Sequence, residues 1–239
     1  MKRDLFIFSI GLCVILLCCF ASVRHIAPAI VLTQSANRPV LILDAGHGGE
    51  DGGASSAAGD KESDINLDIV LKLESLMAFL GVDTVLTRSE DISIYDAGSE
   101  TLREKKVSDL KNRVELINNT PGAMLISVHQ NTFTDPQYKG AQVFFGSGEI
   151  SAQWGEYTQQ AFQSFLSPNN TRKAAVVPEH VYLFKHIDCP SILVECGFLS
   201  NGEEAALLLT DNYQCKIAVT LAWAYLHQLQ MIPNPLGGD

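Results

Sequence analysis

Four residues of this 239-residue chain have the side-chain types a hydrolytic metal site requires: His47, Glu62, His129 and Glu195. A hydrolytic zinc ion takes three protein ligands from His and Asp/Glu and keeps one position for water. It lowers the pKa of that water toward about 7, but a separate carboxylate must still move protons. His47, Glu62 and His129 offer two imidazoles and a carboxylate as ligands, and Glu195 offers the base. The four are 15, 67 and 66 positions apart, so spacing alone carries no signal. Their placement does. PVLILD (39–44) runs into Ala-Gly-His47, AMLISV (123–128) into His129, and PSILV (190–194) into Glu195. A polar group directly after a buried apolar run is expensive to bury without a partner. Each residue taken alone has a plainer reading: a solvated loop histidine, a helix-start carboxylate, a satisfied strand-end histidine, an ion-pair partner. Their joint placement is what favours a site.

Strands must bring those ends together. PVLILD, VDTVLTR (82–88), AMLISVH (123–129), AQVFFG (141–146) and PSILVE (190–195) read as short buried strands. Between them lie helical patterns. Ile65, Ile69, Val70, Leu73, Leu76, Met77 and Leu80 form one stripe, closed by Gly81, with Glu62 in its first turn, where the helix dipole favours a carboxylate. Ser108 is expected to cap a helix with Leu110, Val114 and Ile117 inward. Trp154, Ala161, Phe162 and Phe165 mark another. Asn201 and Glu204 form a capping box, and Ile217, Leu221, Ala224 and Tyr225 mark a last helix. The charged stretch from Ser89 to Lys106 reads as a mobile surface loop. Strand–helix alternation with near-continuous apolar strands predicts a single α/β domain, a twisted and mostly parallel sheet with helices on both faces. Ligands of such sheets sit at the carboxyl ends of the strands.

Composition narrows the function. Apolar residues are 46% of the chain and charged residues 18%, enough for a sizeable core, and 27 acidic against 17 basic side chains give a net charge of −10. A nucleic-acid partner, which needs a basic surface, is excluded. Residues 1–23 begin with Lys2 and Arg3 and continue as an uncharged apolar run from Leu5 to Val23, roughly 28 Å of helix, about a bilayer core. They read as an uncleaved signal anchor, with a cleaved signal peptide as the alternative. Either way the rest is expected outside the cytoplasmic membrane. Residues 24–38 read as a linker, 39–231 as the catalytic domain and 232–239 as a tail. Of six cysteines, Cys13, Cys18 and Cys19 lie in the apolar run. Cys189 and Cys196 flank an extended strand that would hold them about 23 Å apart, beyond the ~4.4–6.8 Å of a disulfide. Those two and Cys215 are expected as small buried hydrophobes.

LILDAGHGGEDGGA resembles the opening motif of the zinc-dependent N-acetylmuramoyl-L-alanine amidases. KESDINL, LKNRVELIN, SVHQNT and PSILVECGFLSN resemble the remaining blocks of that family, in order, so the resemblance spans Pro39 to Leu229. It implies one Zn2+ per chain on His47, Glu62 and His129, with Glu195 as the catalytic acid–base. It also implies a phosphorylase/hydrolase-like fold and cleavage of the amide between muramic acid's lactyl group and the L-alanine of the stem peptide. REKKVSDLKNRVELIN and HVYLFKHIDCPSILVECGFLSN look most like the germination-specific amidases of endospore formers. That implies action on spore-cortex peptidoglycan ahead of a muramic acid deacetylase that forms muramic-δ-lactam. Cys196 departs from the family pattern; side chains alternate along a strand, so it should point away from the Glu195 side and pack.

Two other readings compete. A zinc carboxypeptidase or endopeptidase on the stem peptide would use the same ligand types, and a non-catalytic wall-binding module would be expected to lose Glu195. Arg113 is expected to orient a carboxylate or a loop. His180, Tyr182 and His186 lie before the Glu195 strand, where they would either line a peptide groove or stand free in solvent. Trp154 and Trp223 are expected in the core. With nothing left over for wall-binding repeats, efficient action is expected to need an activating or tethering protein, or the N-terminal membrane segment.

Overall fold

The structure, a computed structural model, describes residues 39–232. The expected anchor, the 24–38 linker and the tail beyond Ile232 lie outside those residues. In chain order the elements are β1 (Val40–Ala45), α1 (Glu62–Phe79), β2 (Thr84–Leu86), α2 (Leu102–Asn118), β3 (Ala123–Asn131) and β4 (Gln142–Phe145), then α3 (Glu149–Phe165), β5 (Ala175–Val176), α4 (Tyr182–Lys185), β6 (Ser191–Phe198), α5 (Gly202–Leu208) and α6 (Asp211–Met231). Among the described residues no helix is long and apolar enough to cross a membrane.

The strands form one six-stranded sheet in the order β2-β1-β3-β6-β4-β5. The pairings β1–β2, β1–β3, β3–β6 and β4–β5 are parallel, and β4–β6 is antiparallel. The sheet is therefore mixed, with a parallel body and a reversed β4–β5 edge. That reversal is out of reach of composition, because β4 reads as apolar in either direction. Helices cover both faces, as alternation requires. Leu41, Leu43, Met124, Ile126, Ile192 and Val194 face α1, α3 and α6 through Ile69, Leu73, Phe162, Leu221 and Tyr225. Ile42, Leu125 and Leu193 face Ile117, Leu183 and Phe184 from α2 and α4.

Several local expectations change. Helix α2 starts at Leu102, one turn and more before Ser108. Thr101 caps it by a complete capping box with Glu104, and the Ser108 hydroxyl instead donates to Asp96 Oδ2 and accepts from the Asp96 amide. The stretch after Ser89 is fastened, not loose. Asp91 accepts from the Gly49 amide, Ser93 donates to the Gly48 carbonyl, Asp109 accepts from the Ile94 amide, and Asn112 donates to the Ile94 carbonyl. Asn201 caps α5, but Glu204 does not return the bond; its carboxylate accepts from the amides of Phe198 and Gly140. Leu80 is 41% exposed. Phe165 and Trp223, expected inward, lie in an edge-to-face pair on the outer surface of α3 and α6, whereas Trp154 is fully buried. Cys196 is buried, Cys189 half-buried and Cys215 exposed; all three are free thiols. α4 and the two-residue β5 carry too little periodicity to be read from sequence.

Candidate metal centre and active site

β1, β3 and β6 lie side by side, and their carboxyl ends carry His47, His129 and Glu195. The parallel register sets His129 directly beside Glu195. β2 flanks β1 on one side and β3 on the other, so His47 and His129 straddle the point where the strand order reverses, the usual ligand crevice of such sheets. Glu62 enters from the first turn of α1. No side chain caps that helix; the glycine-rich loop does so, since the Ala54 and Gly52 carbonyls accept from the amides of Glu62 and Ser63.

One donor atom from each of His47, Glu62 and His129 falls within 4.8 Å of the others. Glu62 Oε1 lies 3.0 Å from His129 Nδ1 and 3.3 Å from His47 Nε2. The loop reaches this geometry through unusual backbone. His47 has φ 62°, a left-handed conformation uncommon for a residue with a Cβ. Gly46 must be glycine because a Cβ there would run into the His129 ring, and a Cβ on Gly53 would meet the Glu62 carboxylate and the His47 ring.

Buried polar bonds hold the loop. Arg113 reaches Asp44, Asp109 and the carbonyls of Ala45 and His47. Arg88 has no carboxylate in ion-pair reach among the described residues and instead donates to four carbonyls, those of Ala45, Gly46, Ser63 and Glu90. It thereby joins the residues before His47 to the residue after Glu62. Asn66 adds bonds to the Gly46 carbonyl and to Glu62 Oε1, and the Gln130 amide also donates to Glu62 Oε1. Asp51 accepts from His47 Nδ1 at 3.0 Å, which leaves Nε2 facing the cluster. A carboxylate behind a ligating imidazole is the usual way to fix its ring and tautomer.

The charges follow from these contacts. Burial opposes a charged His47, but hydrogen bonds to Asp51 and Glu62 outweigh it and carry the imidazole up to about 9. Hydrogen bonds with His129 and His47 hold Glu62, against its burial, well below the ordinary carboxylate range, and the bond with His47 does the same for Asp51. Asp44 is buried too, yet Arg113 and the hydroxyls of Ser127 and Thr87 bring it down to about 2. Glu195 is the opposite case. Burial pushes it up to about 7; Oε2 is enclosed with no hydrogen-bond partner, while part of the side chain stays open to solvent. Two nitrogens and an ionised carboxylate, converging beside a carboxyl poised near neutrality, match the donor set of a hydrolytic zinc with its proton carrier.

The structure thus brings together all four residues singled out from the sequence. Cys196 points into the core, away from the cluster. His180, Tyr182 and His186 lie elsewhere: because β4 and β5 run against β6, the chain after β5 returns to the amino end of β6, and the His186 carbonyl accepts from Asn118 at the far end of α2. They do not line the site. Sequence reasoning missed Asp51, Arg88 and Asn66. Each left a trace: an acid four residues after His47, a cation ending a strand, and an amide on the buried stripe of α1.

The family model for N-acetylmuramoyl-L-alanine amidase matches residues 41–225. The germination-specific N-acetylmuramoyl-L-alanine amidase of Bacillus subtilis (strain 168) is 34% identical over 185 residues, 76% of either chain. The N-acetylmuramoyl-L-alanine amidase AmiA of Escherichia coli (strain K12) is 26% identical over 246 residues, covering 84% of this chain and 80% of that one. Among solved structures, the CwlD amidase from Clostridioides difficile in complex with the GerS lipoprotein superposes with a TM-score of 0.78 at 38% identity, covering 81% of this chain and all of that one.

Proposed function

The chain belongs to the N-acetylmuramoyl-L-alanine amidase family, peptidoglycan hydrolases, and from that premise we propose that it is a zinc enzyme acting on spore cortex. His47 Nε2, Glu62 and His129 Nδ1 would hold one Zn2+, and Glu195 would carry the proton. The observation that carries this reading is the convergence of the three donors beside Glu195, whose Oε2 is buried without a hydrogen-bond partner.

Bound zinc would supply Lewis acidity toward the scissile carbonyl and a water of lowered pKa. The chain's own residues do the rest. Glu195, near neutrality, accepts a proton from the attacking water at its carboxylate and then delivers it to the departing alanine nitrogen. Asp51 keeps His47 Nδ1 protonated, so that Nε2 is the free donor. Arg88, Arg113 and Asn66 keep the loop in its left-handed conformation, so ligand geometry is in place before substrate arrives.

The germination-specific name of the Bacillus subtilis relative favours the cortex as substrate; the coupling to a muramic acid deacetylase rests on the sequence resemblance alone. The lipoprotein complex of the similar Clostridioides difficile amidase supports an activating or tethering protein for this chain. The N-terminal apolar run supports action outside the cytoplasmic membrane, from an anchor or after release. The test is mass spectrometry of digested peptidoglycan, with and without chelator. Release of stem peptides with free L-alanine amino groups, lost on chelation and restored by Zn2+, is expected. Shortened stems would indicate a carboxypeptidase or endopeptidase, and bound zinc with no turnover a wall-binding module.

A further inference from the structure

We propose that Arg172, seated on an aromatic shelf at the rim of the catalytic crevice, binds a free carboxylate of the stem peptide, that of the acidic residue following L-alanine. This rests on the amidase reading and names what selects the substrate at that site.

The shelf is built from the segments just beyond the catalytic strand ends. Phe198 closes β6, three residues after Glu195, at most about 10 Å further along at ~3.3 Å per residue. Asn131 pairs with it beyond a register shift that sets these three residues of β6 against two of β3, so the straight-line distance is shorter, about 7 Å. Phe133 and Tyr138, 54% and 45% exposed, come from the loop after β3 and meet edge to face at 4.9 Å. The Arg172 guanidinium lies over both the Phe198 ring, at 4.9 Å, and the Tyr138 ring, at 5.8 Å. A guanidinium lying on rings keeps its in-plane N–H groups free to grip a carboxylate with two bonds.

The backbone under Arg172 is fixed. Its amide donates to Asn170 Oδ1 and its carbonyl accepts from Gln163. Asn170 donates to the Ala141 carbonyl, and the next carbonyl, that of Lys173, accepts from Gln142 Nε2 at 2.6 Å. Gln142 is the residue directly opposite Glu195 in the β4–β6 ladder. The cation is thus tied to the strand pair that carries the base.

In a chain of net charge −10, this cation has no ion-pair partner among the described residues. Glu204, the carboxylate whose field it shares, is occupied by the amides of Phe198 and Gly140. Lys173 beside it adds a second cation with no ion-pair partner among the described residues. A peptide cleaved at its L-alanine nitrogen offers its next residue's carboxylate within about 7–10 Å of the cut, on a reach of ~3.3–3.6 Å per residue. That matches the span from Glu195 to the shelf.

The experiment uses the full chain and two muramoyl-tripeptides, one with a free α-carboxylate on its second residue and one with the primary amide there. Wild type is expected to favour the acid in kcat/KM. Arg172→Ala should lose about 10- to 100-fold more on the acid than on the amide, the scale of a hydrogen bond to a charged group, and Arg172→Lys should fall between. Equal losses on both substrates would reduce Arg172 to packing of the rim and overturn the proposal. Calorimetry with the free acid and amidated tripeptides, which needs no turnover, separates this from failure of the amidase reading. Wild type should bind the acid more tightly, a preference that Arg172→Ala removes, even if no muramoyl amide is cleaved. Equal affinities for wild type would refute the subsite whatever the enzyme's reaction.

Discussion

Replacing Glu195 by Gln separates a proton carrier from a structural ion-pair partner, because the two roles predict opposite effects on stability. Burial holds the folded Glu195 carboxyl at about 7, against 4.5 for the ordinary group. Below pH 4.5 folded and unfolded chains are both protonated, and the carboxyl costs nothing. As pH rises from 4.5 to 7 the unfolded chain ionises first, and folding stability is lost. Above pH 7 the whole cost is present, about 3 kcal/mol for a shift of this size. Gln cannot ionise, so it escapes that loss, although its amide carries a pH-independent cost for the unpartnered Oε2 position, about 1–3 kcal/mol. The quantity to measure is therefore the change with pH. In metal-free protein the melting temperature of Glu195→Gln, relative to wild type, should rise between pH 4 and pH 8 by roughly 6–12 °C, at ~2–4 °C per kcal/mol for a domain of this size. Turnover with zinc bound should fall about 10²- to 10⁴-fold, with zinc content unchanged. An ion-paired Glu195 would give the reverse trend, with Gln losing ground as pH rises. A flat difference, or near wild-type turnover, would sink the assignment.

Three further outcomes follow from the loop and its ligands. His47 must lose its proton to bind zinc, and its metal-free value of about 9 predicts release of close to one proton per zinc at pH 7–8, with affinity rising about tenfold per pH unit. Calorimetry in buffers of different ionisation enthalpy measures this, and binding without proton release would contradict it. Arg88→Met leaves buried carbonyls unpaired on both ligand segments; a loss of about 2–4 kcal/mol of stability and at least tenfold weaker zinc binding are expected, with Arg88→Lys recovering part. Unchanged zinc affinity in a less stable Arg88→Met would make that residue purely structural. Gly46→Ala drives a methyl into the His129 ring, so zinc occupancy and activity should be lost together while the far-ultraviolet circular dichroism stays native; full zinc content would refute the crowding argument.

What the sequence made legible is what apolar patterning encodes. β1, β3 and β6 are continuous apolar runs buried from both faces, so their ends could be located, and a polar residue at each end stood out. Glu62 was legible because the stripe from Ile65 to Met77 fixed where α1 begins. The direction of β4 was not, since an apolar strand reads the same both ways, and that one reversal moves His180, Tyr182 and His186 to the wrong end of the sheet for a groove. The start of α2 was hidden because its first turns are charged and exposed, so the pattern begins only where Asp109 and Arg113 turn inward, and they do so as polar groups. Arg88 was hidden for a related reason. A cation at the end of a strand usually signals solvent, and nothing in its neighbours indicates four backbone carbonyls waiting for it. Arg88 and the residues before β6 have this in common: what places them is backbone atoms or a strand direction, which side-chain patterns do not record. The candidate ligands show the opposite, because a metal site needs side chains of particular chemistry at strand ends, and both facts are written in the sequence. That asymmetry explains how the candidate set could be picked out while the clamp that holds its strained loop could not. It also locates where sequence inspection of similar chains should look next: at polar residues inside otherwise apolar stripes, such as Asn66, whose burial has to be matched by a bond to something the pattern omits.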